Sequence, residues 1–150
     1  MSDFRNRPNG TYIFETDSQR LYALTKHWES DLLFYKDDLK FLSQLMNKYF
    51  IWISKKEDIE AVRNIQVNID KTEMQCSDLL KRVNNQLKHS ANMTDYPFKY
   101  DTYQFLTEQQ QLENDITNFI KEFRANRKEV FTVTEHVTES DEFIRNTSFS

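Results

Sequence analysis

Turn-forming residues are almost missing from this chain. Its only glycine is Gly10, and its only prolines are Pro8 and Pro97. These two residue types interrupt helices and shape hairpins, and a sandwich or barrel of many short strands needs them at its turns. Their scarcity excludes that class. One glycine also excludes a glycine-rich phosphate loop and the Gly-x-Ser-x-Gly nucleophile elbow, each of which needs at least two.

Cysteine is just as scarce. Cys76 stands alone, so no internal disulfide can form and nothing points to an oxidising compartment. No segment approaches the roughly 18–20 apolar residues that a membrane-spanning helix requires. The opening stretch MSDFRNRPNG lacks the apolar run of a secretion signal. Basic clusters are missing too: none exceeds two residues, as at Lys55-Lys56, and the net charge is −4 with a pI near 5.4. Phosphate contacts need a concentrated basic surface. These absences predict a soluble cytoplasmic protein with neither nucleic acid nor membrane as its partner.

What the chain does have is aromatic and apolar content. Twelve Phe, seven Tyr and two Trp in 150 residues, with 38% hydrophobic residues, supply one domain with an ample core. A chain of this size can bury roughly 70% of its unfolded surface without disulfides or metals.

The apolar spacing is helical. Leu21, Leu24, Trp28, Leu32, Tyr35, Leu39, Leu42, Met46 and Tyr49 follow one another by threes and fours, which a strand period cannot produce. The pattern predicts a first helix over residues 17–51, about 50 Å long at ~1.5 Å per residue. Ser54 and Glu57 have the spacing of a capping box and open a second helix, predicted over 55–90. Its inward set is Ile59, Val62, Gln66, Ile69, Glu73, Cys76, Leu80, Val83 and Leu87, with Lys88 and His89 near its C-terminus. The segment SANMTDYPFKYD breaks the pattern at Pro97, and Asp95 or Asp101 can cap the helix that follows.

That third helix, predicted over 100–138, buries Phe105, Leu112, Ile116, Phe119, Phe123, Val130 and Val137, with Gln109, Arg127 and Thr134 on the same stripe. The run VFTVT at 130–134 favours a strand locally. It is assigned to the helix because the three helices then match in length. Residues 1–15 are read as an extended N-terminal arm and 139–150 as a C-terminal tail. The fold expected over 16–138 is all-α: an antiparallel up-down-up three-helix bundle with coiled-coil-like packing.

Chemical groups are few on this frame. His27 and Asp31 stand four apart on one helix face, but no third ligand is evident and no His has a Glu three residues before it. Metal sites of helical bundles need more, so no metal or other cofactor is expected. Cys76 reads as a core residue. Glu73 sits on an inward stripe, where an unpaired carboxylate is costly, so Tyr35 is a candidate partner and Arg127, expected nearer to the buried Gln66, can reach across a turn. Such a group either fixes helix register or lines a small polar pocket for a ligand.

The surplus of aromatics is the remaining signal. At about 100° per residue, Phe34, Phe41 and Leu45 flank the main stripe of the first helix on one side, and Tyr22 and Leu33 on the other. Cover can come from Tyr12, Ile13 and Phe14 of the arm, from Phe143 and Ile144 of the tail, or from a protein partner, most simply a second copy. The segment LLFYKDDLKFLSQLM, residues 32–46, resembles segments of small bacterial helical-bundle proteins. The resemblance covers one helix and implies no activity. The expected function is non-enzymatic protein–protein interaction with self-association as a homodimer. The rival is a ligand-binding protein or enzyme with a polar site between helices.

Overall fold

The computed structural model describes the backbone of residues 10–56, 59–95 and 102–148, and the side chains of 18–53, 59–92 and 102–135. The described backbone is entirely helical: α1 spans Gly10–Lys56, α2 spans Ile59–Asp95 and α3 spans Thr102–Ser148. The protein is an all-α three-helix bundle. Its chain forms two compact units, one of Met1–Leu33 with Asp78–Ile116 and one of Phe34–Ser77 with Thr117–Ser150. Each unit takes one portion from every helix. The later part of α2 joins the earlier parts of α1 and α3, which is the up-down-up order.

The helices are longer than their sequence signals implied. Residues 10–15, expected in an extended arm, are the first residues of α1, which begins at the chain's single glycine. Residues 139–148, expected in a C-terminal tail, continue α3. With no Gly or Pro between, nothing in either segment stops helix propagation. The VFTVT run is helical as expected. There the hydroxyl of Thr132 donates to the Lys128 carbonyl at 2.7 Å and that of Thr134 to the Val130 carbonyl at 2.8 Å, so both threonines bond back along the helix.

Two expected caps are displaced. Ser54 lies inside α1, which runs on to Lys56, so it cannot cap α2. Asp95 is the last residue of α2 and cannot cap α3, while Asp101 falls outside the described residues. Because α2 extends to Asp95, Lys88 and His89 precede its last turn, which carries no basic residue. Its first turn holds Glu60, the favourable sign at a helix N-terminus.

The core follows a seven-residue repeat. On α1, Ser18, Thr25, Leu32, Leu39, Met46 and Ile53 are all buried at intervals of seven, and Leu21, Trp28, Tyr35, Leu42 and Tyr49 alternate with them. On α2 the buried rows are Val62, Ile69, Cys76, Val83 and Ser90, alternating with Ile65, Thr72, Leu79 and Gln86. On α3 they are Phe105, Leu112, Phe119 and Asn126, alternating with Gln109, Ile116, Phe123 and Val130. A strict alternation of threes and fours is the pattern of left-handed supercoiled packing.

This repeat corrects the expected inward set at five places. Leu24 and Ile59 are exposed. Gln66 and Glu73 are half-buried on the flank of α2, with Ile65 and Thr72 inside in their stead. Arg127 is exposed, and Asn126 occupies the core row. In four of these cases a neighbour one position away, Thr25, Ile65, Thr72 or Asn126, keeps the seven-residue register.

Leu39 is fully buried. Its replacement by Ala removes a core side chain from a packed row and is expected to cost about 2–5 kcal/mol, read from the urea midpoint with an unchanged slope.

Candidate functional site

Polar side chains penetrate the core of both units. In the first, Gln86 Nε2 donates to Gln109 Oε1 at 2.9 Å and to the Phe105 carbonyl at 3.3 Å. Gln109 Nε2 in turn donates to Thr25 Oγ1 at 2.8 Å, and Thr25 donates to the Leu21 carbonyl at 2.6 Å. One relay thus ties α2 to α3 and α3 to α1, with all three side chains buried. In the second unit, Asn126 Nδ2 donates to Thr72 Oγ1 and to the Asn68 carbonyl at 3.3 Å. Thr72 Oγ1 donates to the same carbonyl at 2.7 Å.

The sequence reading singled out neither group. Their signal was there: each member sits at a core position of the seven-residue repeat. Among the described residues, Gln75 Oε1 is the only buried side-chain oxygen or nitrogen without a partner. These groups therefore work as satisfied structural pairs.

An ion cluster crosses the α2–α3 seam of the first unit. Arg82 Nε donates to Glu108 Oε1 at 3.0 Å and its Nη1 to Asp115 Oδ2 at 2.7 Å, while Gln111 Nε2 donates to Asp115 Oδ1 at 3.0 Å. The Arg82 hydrogen bond holds the Asp115 carboxyl below the usual carboxylate range, against a smaller opposing effect of burial. All three ionic groups are partly exposed, so the cluster clamps two helices at the surface.

Two of the four residues expected at a polar pocket, Arg127 and Tyr35, are engaged with other groups. Arg127 Nε lies 3.6 Å from Asp38 Oδ2, and its guanidinium lies over the Phe131 ring at 4.7 Å. Tyr35 packs against Phe119 and Phe123, with ring centroids 5.8 and 4.7 Å away. Glu73 stands on the flank of α2, where burial first and the Asp70 carboxylate second push its carboxyl above the usual range. Gln66 shares that flank, half-buried. Cys76 is in the core, and burial pushes its thiol up to about 11, so it stays protonated at neutral pH. His27 and Asp31 are exposed, and the described residues contain no group of three or more His, Cys, Asp or Glu placed to hold a metal ion.

The outer faces of α1 hold the other predicted residues. In the second unit Phe34 is 65% and Phe41 47% exposed, while Leu45 is half-buried. Phe41 has Phe131 of α3 beside it, ring centroids 6.4 Å apart, and Phe34 meets Tyr35 edge-on at 5.8 Å. In the first unit Tyr22 and Leu33 are exposed. Cover by Tyr12, Ile13 and Phe14 in an extended arm is ruled out, because those residues continue α1 as helix. The side chains of Phe143 and Ile144 lie outside the described residues.

Comparisons with protein-family models, with curated proteins and with solved structures return no match. Among the described residues, no helix is long and apolar enough to cross a membrane.

Two outcomes follow from this geometry. Gln109→Leu removes two buried hydrogen bonds, leaving Gln86 only its Phe105 bond and Thr25 only its Leu21 bond, and is expected to destabilise the protein by about 1–3 kcal/mol in urea unfolding. Arg82→Met removes the clamp at a cost of about 0.5–1 kcal/mol at pH 7, allowing for solvent screening. The folded Asp115 carboxyl titrates below its unfolded value, so the clamp's contribution is present above the unfolded pKa and is lost as pH falls through the folded one. The two proteins should therefore converge in stability on acidification, in unfolding curves recorded from pH 7 downward.

Proposed function

We propose that this protein is a non-enzymatic helical bundle that acts through protein–protein contact and self-associates through the outer face of α1. The observation that carries the reading is the exposure of Phe34 and Phe41, two aromatic rings seven residues apart on one face of a helix whose core row is already complete. Aromatic side chains are enriched in interface cores, and contiguous exposed apolar surface marks contact sites. A polar ligand site between helices has less support, since Arg127 and Tyr35 are engaged with Asp38, Phe119 and Phe123.

The proposal assigns no cofactor and no nucleic-acid or membrane partner. It places the protein in the cytoplasm, in keeping with a single buried cysteine and an acidic balance of charge. Sedimentation equilibrium tests the central point. A dimer is expected, and the pair Phe34→Asp and Phe41→Asp should dissociate it while leaving the helical circular dichroism unchanged. A chain that remains monomeric at high concentration contradicts the proposal.

A further inference from the structure

Charge is sorted on the face that carries Phe34 and Phe41. On a helix, residues seven apart share a row, because two turns nearly complete the interval. On α1 the three rows around the aromatic strip hold, between residues 34 and 53, the acids Asp37 and Asp38 and, near their far end, one cation, Lys48. On the adjoining face of α3 the corresponding three rows hold, between 117 and 135, Lys121, Arg124, Arg127 and Lys128 and, at their far end, one acid, Glu135. The two banks meet within the second unit, where Asp38 pairs with Arg127 and Phe41 with Phe131. Asp37, Lys121, Arg124 and Lys128 are exposed, and none forms an ion pair among the described residues. Around Asp37 and Lys121 to Lys128 the face thus runs from acidic to basic across an aromatic seam, and at its far end Lys48 and Glu135 reverse the order.

From this order we infer that the occupant of the face is a second copy of the chain, docked about a two-fold axis so that α1 of each copy lies over α3 of the other. This inference rests on the self-association proposed above and specifies its geometry. An isologous contact brings a surface against itself turned by half a revolution, so a face with opposite charges on its two sides becomes its own complement. In that arrangement Asp37 meets the basic bank of the opposite copy, and Phe34 and Phe41 lie against cations and aliphatic stems. The chain already uses that chemistry internally, where Arg127 lies over Phe131. Placing α1 over α1 instead would set Asp37 against its own equivalent and leave the basic banks without acids.

The test is a charge swap followed by analytical ultracentrifugation at low salt. Asp37→Lys alone, and Lys121→Glu with Lys128→Glu alone, should each weaken self-association by about tenfold or more, because like charges then face each other. Mixed in equal amounts, the two variants present lysine to glutamate and aspartate to lysine, and should associate to within about threefold of the unaltered protein. All of these positions are exposed, and restoration on mixing shows directly that each variant is folded. If both variants self-associate as tightly as the unaltered chain while Phe34→Asp with Phe41→Asp dissociates it, the α1-over-α3 order is overturned and self-association stands. If the unaltered chain is monomeric throughout, both fall. A monomer that instead binds an acidic amphipathic helical peptide assigns the face to a different occupant and equally overturns the inference.

Discussion

One amide relay, from Gln86 through Gln109 to Thr25, fixes how the three helices of the first unit stand against one another. Apolar rows repeating every seven residues tolerate a slip of one repeat, because leucine then meets valine where it had met phenylalanine. The relay does not tolerate it. A slip breaks the bonds between helices and leaves two buried amides short of partners, each costing about 1–3 kcal/mol, while Thr25 keeps its bond to Leu21. Polar groups at core positions are known to select register in coiled coils at some expense of stability. Asn126 plays the same part in the second unit, where it joins α3 to Thr72 and to the Asn68 carbonyl of α2.

With register set from within, the flanks are free to carry other tasks. Arg82 clamps α2 to α3 on the surface of the first unit, and Asp38 holds Arg127 on the surface of the second. The latter pair also turns the guanidinium onto Phe131, which stands beside Phe41. Core completeness makes the outer rings of Phe34 and Phe41 informative: Leu32, Leu39, Leu42 and Met46 already fill the inward row of α1.

The architecture was legible because the chain contains so little that could stop a helix. Three periodic stretches separated by one proline-bearing segment and one short break admit few other arrangements. The helix ends were less legible, since TYIF at 11–14 resembles a strand locally yet continues α1. The core rows were misjudged at Thr25, Thr72 and Asn126, although the buried Gln109 and Thr134 were placed on the inward stripe of α3. Following apolar letters drew attention to Leu24 over Thr25, and following charged ones to Glu73 and Arg127 over Thr72 and Asn126. Small amides and hydroxyls can satisfy themselves within a core; a carboxylate or guanidinium is better left at its edge. Counting by sevens from Leu32, Leu79 and Phe119 reaches Thr25, Thr72 and Asn126.

The central claim is that a buried polar relay sets the alignment of the helices, and a double-mutant cycle between Thr25 and Gln109 tests it most directly. These residues are 84 positions apart in sequence, yet their side chains share a hydrogen bond of 2.8 Å. With Thr25→Val and Gln109→Leu measured singly and together, a coupling of about 0.5–3 kcal/mol is expected for groups in one network. Strictly additive effects would mean that the two side chains do not touch, and would contradict the alignment on which the rest stands.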